Sequence, residues 1–186
     1  MTVAAVVIRV PISDREPPSV RVQRQRERAR TALRRCAELC GAPAYGWVQD
    51  AGGAPVPNQA WHWSLSHKRR LAAAAIARCP IGIDVEEIVP RREDLFNEIG
   101  TEEEWRLMGE RTWPAFYRLW TAKEATLKAN GHGIGRLASC RIAAVTGEEL
   151  LTVDFEGRSW AVQHAGFEGH LLALAGSPAK VAWQEV

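Results

Sequence analysis

Apolar and polar positions alternate weakly over residues 3–12, a stretch rich in β-branched side chains, which predicts an opening strand. From Val22 onward the apolar residues fall at Val22, Ala29, Leu33, Cys36 and Cys40, the spacing of a helix. Pro17, Pro18 and Ser19 mark its start, with Ser19 the expected N-cap, and Gly41 marks its stop. Residues 50–58 hold two glycines and two prolines in close order and read as a loop. The stretch 61–69 reads as a strand, and 71–88 as two strands joined near Arg78–Pro80. Charged residues crowd 91–110, where two short helices are expected; 112–130 predicts one longer helix closed by Gly131. Strands are expected again at 139–145, 150–155, 159–165 and 170–175. The order strand, helix, strands, helices, strands predicts an α+β fold.

A faint echo runs through this order. Trp63 and His67 precede the apolar run from Leu71, and Trp160 and His164 precede the run from Leu171, with the same Trp–His spacing. It suggests two similar halves, divided as residues 1–90 and 91–186. With 186 residues, 46% of them hydrophobic, the chain is long enough to bury a core. No apolar run has the length of a membrane span, so no membrane association is expected. The N-terminus lacks a basic start and a cleavage site, and reads as a strand rather than a signal peptide. Cys36 and Cys40 share a helical face, but no second ligand pair follows. Zinc is therefore not expected, and the four cysteines read as reduced thiols of a cytoplasmic protein. Net charge is only +2, yet Arg21, Arg24, Arg26, Arg28, Arg30, Arg34 and Arg35 crowd one segment. Such a cluster suits phosphates, a nucleic acid or an acidic protein.

Two segments change this bland picture. On a strand, Ile81, Ile83 and Val85 would face a core, leaving Gly82, Asp84 and Glu86 on the other side. Two adjacent carboxylates repel unless a cation joins them. The bare glycine lets a ligand or a backbone approach. The same residues also suit a wet strand face with no further role. On the longer helix, Trp120, Glu124 and Lys128 recur at spacings of four and lie along nearly one face. That suits a site for metal and phosphate, and equally a surface Glu–Lys pair. Three carboxylates, a lysine and an arginine-rich helix fit Mg²⁺ and a pyrophosphate, since Mg²⁺ takes oxygen ligands and shares them with substrate phosphates.

These residues resemble the 4′-phosphopantetheinyl transferase family. Its marks are Gly-Ile-Asp-x-Glu, here Gly82–Glu86, and Trp-x-x-Lys-Glu-x-x-x-Lys, here Trp120–Lys128 with Lys123 inside it. Trp63–His67, with Ser66 and His67, looks like the family's Ser-His segment. Arg30, followed by Thr-Ala-Leu, sits where a family arginine meets the 3′-phosphate of coenzyme A. The likeness is greatest to the longer, monomeric type with two similar α/β halves in a pseudo-two-fold arrangement. The resemblance implies an enzyme that moves the phosphopantetheine arm of coenzyme A to a serine of an apo acyl or peptidyl carrier protein, leaving 3′,5′-ADP. It implies that Asp84, Glu86 and Glu124 hold Mg²⁺ (or Mn²⁺), that Glu124 takes the serine proton, and that Lys128 steadies charge on the phosphate. Arg24, Arg30, Ser66, His67, Lys68, Lys123 and Lys128 are the expected coenzyme A contacts. Glu124 joins Asp84 and Glu86 through the resemblance, since no spacing argument brings a distant helix onto that strand.

Two departures stand out. The family often has Gly-Lys-Pro before the Ser-His segment; here Gly53-Ala54-Pro55 lacks the lysine. The residue after Ser-His is often serine, and here it is Lys68, expected to restore part of the lost positive charge. The competing readings are an arginine-rich nucleic-acid-binding module and a degenerate homologue that binds coenzyme A without turnover. The near-neutral net charge and the two acidic motifs weigh against the first.

Overall fold

The structure is a computed structural model that describes residues 3–13, 15–176 and 181–186. Its elements, in chain order, are β1 (Val3–Arg9), α1 (Pro18–Cys40), β2 (His62–Lys68), β3 (Leu71–Ala77) and β4 (Gly82–Glu87). There follow α2 (Leu95–Ile99), α3 (Glu102–Met108), α4 (Trp113–Ala129) and a 3₁₀ segment (Ile134–Ser139). Strands β5 (Arg141–Thr146), β6 (Leu150–Phe155), β7 (Arg158–Phe167), β8 (His170–Ala175) and β9 (Trp183–Glu185) complete it. The expected elements are present, with three differences. Ser19 lies inside the first turn of α1 rather than capping it; Pro17 takes the cap position, without a side-chain bond. The 3₁₀ segment and β9 were not expected. β9 has only three residues, too few to show a period.

Two sheets carry the fold. The first has the order β2-β3-β1-β9, and the second β4-β8-β7-β6-β5. Pairing is antiparallel throughout except between β1 and β9, which run parallel. The hairpin joining β7 to β8 turns at Glu168-Gly169, both with positive φ, and Gly169 adopts that conformation freely. Helix α1 lays Ala32, Leu33, Cys36 and Ala37 on one face of the first sheet, against Val6, Ile8, Trp63 and Ile76. The other face of that sheet, built from Ala5, Val7, Ala73, Ala75 and Ala77, meets Ile83, Val85, Leu172 and Leu174 of the second. Helix α4 covers the far side of the second sheet, packing Phe116, Leu119, Ala122 and Ala125 against Val153, Trp160, Val162 and Ala173. The layers are thus helix, sheet, sheet, helix. Sheet membership cuts across a division at residue 90, because β4 belongs to the second sheet and β9 returns to the first. No helix among the described residues is long and apolar enough to cross a membrane.

The Trp–His echo falls on two hairpins, β2–β3 and β7–β8. His67 lies opposite Ala72 and His164 opposite Ala173. Their settings differ: His67 is half-buried and His164 is buried.

Candidate active site at the seam of the two sheets

The site grows from two edge strands lying side by side. β2 closes one edge of the first sheet and β4 one edge of the second. With period two, β2 turns Ser64, Ser66 and Lys68 toward β4, the face it shares with Ala73 and Ala75. The Ser64 hydroxyl accepts from the Ile83 amide at 3.1 Å, and the Ser66 hydroxyl from the Val85 amide at 3.3 Å. Side chains thereby satisfy an edge that would otherwise be open. The match continues at a constant offset: Ser66 donates to Asp84 Oδ1 at 3.0 Å, Lys68 to Glu86, and Arg69 to Glu87.

β4 behaves as its alternation predicts. Ile81, Ile83 and Val85 are buried between the sheets. Gly82, on the opposite face, meets backbone: a Cβ there would sit 1.9 Å from the Ala125 carbonyl oxygen and 2.5 Å from the Ala129 nitrogen. Gly82 therefore lets α4 rest directly on β4. That contact sets Glu124 and Lys128 of α4 over Asp84 and Glu86.

Oxygens of Asp84, Glu86 and Glu124 lie within 4.8 Å of one another. Lys128 Nζ is 2.7 Å from Asp84 Oδ1, 3.3 Å from Glu124 and 3.2 Å from the Ser66 hydroxyl. The Trp120 indole donates to Glu124 Oε2 at 3.0 Å. Lys68 Nζ reaches Glu86 Oε2 at 2.8 Å. Burial pushes the Glu86 carboxyl above its usual range, against the pull of Lys68. Burial likewise raises Glu124, and the negative charge of Asp84 adds to it. Burial works to lower the Lys128 ammonium, but Asp84 and Glu124 overcome it and hold that group above its ordinary value. Asp84, Glu86, Glu124, Lys128, Lys68 and Ser66 line a cavity of about 270 Å³ together with Leu65 and His67. Burial, then the charges of Arg26 and Lys128, keep His67 below its ordinary value and thus neutral near pH 7. A second cavity of about 180 Å³ adjoins it, sharing Lys68 and Glu86 and walled by Phe116, Tyr117, Trp120, Leu95 and Arg91.

The cluster suits a hard divalent cation. All three acids offer oxygen, and Asp84 Oδ2 is buried with no hydrogen-bond partner. Of the residues expected at this site, the structure brings together Asp84, Glu86, Glu124, Lys128, Ser66, His67 and Lys68. Lys123 does not join them. It points to the other side of α4, where its ammonium is 3% exposed, 2.8 Å from Glu104 Oε1 and bonded to the Ile99 carbonyl. Glu104 in turn accepts from the Thr101 and Ile142 amides, so Lys123 has no reach toward a substrate in the cavity. Arg24 is also held elsewhere, paired with Glu16 at 2.7 Å and bonded to the Pro11 carbonyl. Arg30 is exposed on α1. The arginine whose charge acts on His67 is Arg26, one turn before Arg30. The sequence held a signal for it, since the two lie four apart on one flank of the helix.

A model of the 4′-phosphopantetheinyl transferase superfamily matches residues 80–175, more than half of the chain, from just before β4 to the end of β8. The chain belongs to that superfamily. Within it, the chain is similar to the 4′-phosphopantetheinyl transferase psf-1 of Bacillus pumilus, 33% identical over 91 residues, which are 46% of this chain and 39% of that protein. It is 38% identical over 88 residues to the 4′-phosphopantetheinyl transferase HetI of Nostoc sp., covering 44% of this chain and 37% of HetI. A 4′-phosphopantetheinyl transferase of Bacillus subtilis is 29% identical over 110 residues, 56% of this chain and 49% of that one. The matched stretch thus takes up less than half of each of these relatives.

Proposed function

We propose that this chain transfers the 4′-phosphopantetheine arm of coenzyme A to a serine hydroxyl of an apo acyl or peptidyl carrier protein, with 3′,5′-ADP as the leaving group and Mg²⁺ or Mn²⁺ as the metal. The observation that carries the reading is the cluster of Asp84, Glu86 and Glu124 beside Lys128 in one cavity, in a chain of this superfamily.

Asp84, Glu86 and Glu124 are the groups that would hold the cation. A bound divalent cation supplies neutralisation of charge on the pyrophosphate oxygens. The rest falls to the chain. Lys128 and Lys68 place two ammoniums at the cavity wall for the phosphates. Neutral His67 donates or accepts a hydrogen bond there without adding charge. Glu124, which lines the cavity beside the other two acids, is the candidate base for the carrier's serine hydroxyl. The Trp120 indole fixes one oxygen of Glu124 and leaves the other toward Lys128. The Ser66 hydroxyl braces Asp84 in the same way. Catalysis of this kind is mostly positioning and charge neutralisation.

The test is to mix the protein with coenzyme A, Mg²⁺ and apo carrier proteins, and to weigh the carriers by mass spectrometry. A phosphopantetheine increment on a carrier is expected; none on any of several carriers would sink the proposal. Glu124→Gln should lower the rate at least about 100-fold, the usual scale for losing a general base, and a rate near wild type would remove Glu124 from that role.

A further inference from the structure

Three carboxylates meet two ammoniums in the seam cavity. Lys128 is shared between Asp84 and Glu124, whereas Lys68 is spent on Glu86, at 2.8 Å from one oxygen and 3.1 Å from the other. The cluster is therefore net −1, from three negative and two positive charges. A divalent cation added to it leaves net +1. That surplus sits in front of the space where a pyrophosphate would lie.

The two lysines are not equivalent. Lys128 projects from the last turn of the packed helix α4 and is gripped by three groups, Asp84, Glu124 and the Ser66 hydroxyl. Lys68 is the last residue of β2, at the hairpin end, with a side chain 34% exposed against 12% for Glu86. It lines both the carboxylate cavity and the adjoining apolar one. A four-carbon stem on a hairpin end can change partners without moving the backbone.

We propose that Lys68 is a resident counter-ion: it holds Glu86 in the metal-free protein and passes to the substrate's phosphates when a divalent cation occupies Glu86. This rests on the reading of Asp84, Glu86 and Glu124 as a metal site. It makes Lys68 a competitor of the cation and an ally of the anion, so that metal and coenzyme A bind with positive coupling through one side chain. A lysine with a merely structural role would weaken both ligands when removed.

The experiment titrates the whole chain with Mn²⁺ alone, followed by electron paramagnetic resonance, and then with coenzyme A in the absence and presence of saturating Mn²⁺. Lys68→Ser should bind Mn²⁺ roughly three- to tenfold more tightly than wild type, the scale of a half-exposed ion pair. Lys68→Arg, which keeps the charge, should bind Mn²⁺ like wild type. With Mn²⁺ present, Lys68→Ser should bind coenzyme A more weakly by a similar factor; without Mn²⁺ its affinity should be nearly unchanged. Mn²⁺ binding to Lys68→Ser no tighter than wild type overturns the proposal, and so does an equal loss of coenzyme A affinity with and without metal. Absence of any Mn²⁺ binding that Glu124→Gln abolishes would bring down the metal-site reading itself, and this inference with it.

Discussion

Lys123 and Glu124 are neighbours in sequence and serve different sides of α4. Glu124 faces the cavity, whereas Lys123 closes a buried pair with Glu104 that also takes in the Ile99 carbonyl and the Thr101 and Ile142 amides. A helix turns about 100° per residue, so adjacent positions can face a ligand and a core. The pattern of α4 does not say which is which, because the helix is apolar nearly all round, with Phe116, Leu119, Ala122, Ala125 and Leu127 buried. Glu104→Gln should leave the Lys123 ammonium unpaired in the interior and destabilise the fold by about 3–5 kcal/mol. Urea unfolding would measure it, and the double change Glu104→Gln with Lys123→Met should recover part of the loss. Independent, additive losses would show that the pair does not act as a unit. The acidic pair on β4 was legible at this scale, since period two alone puts Asp84 and Glu86 together. Their meeting with Glu124 was not, because it depends on how a helix lies on a strand. The arginines of α1 were legible as a cluster, but their individual partners depend on where β2 and the segment around Glu16 fall.

At the scale of elements, the strands and the long helices follow from local pattern, and their docking follows from a few unusual contacts. Gly82 is the clearest. With α4 backbone 1.9 Å from where a Cβ would stand, Gly82→Ala must push the helix off β4. We expect a loss of about 1–3 kcal/mol from overpacking. Weaker Mn²⁺ binding should accompany it, because Glu124 moves with α4 while Asp84 stays on β4. Unchanged Mn²⁺ affinity in a destabilised Gly82→Ala protein would separate helix docking from site geometry. The β7–β8 hairpin supplies a second case. Burial, reinforced by the charge of Arg118, pushes the His164 imidazole down to about 3. Its Nε2 lies 3.3 Å from the Arg118 carbonyl, and its Nδ1 is buried without a partner. The unfolded chain takes up a proton as pH falls through the ordinary value of 6.5, and the folded chain does not until near 3. Stability should therefore drop over that window as pH falls, by about 1.4 kcal/mol per unit from this group. Comparing urea midpoints at pH 7 and pH 5 for wild type and His164→Gln isolates it. The variant should show the shallower pH dependence, and equal slopes would mean that His164 is not held neutral.

At the scale of the whole molecule, the second sheet is one continuous stretch of chain and the first is not. The chain leaves the first sheet after β3, builds the entire second sheet from β4 to β8, and comes back to set β9 beside β1. Arg9 strengthens this closure, pairing with Glu168 in the β7–β8 turn and with Glu185 on β9. Such links between distant parts of the chain form slowly, since a long loop must close before they return any energy. A chain emerging from the ribosome can pair β1 with β3 early, yet β1 keeps one bare edge until β9 has been added. The parallel strand β9 thus makes completion of the first sheet wait on the second, so the carboxylates at their seam stand between two sheets of which the first begun is the last finished.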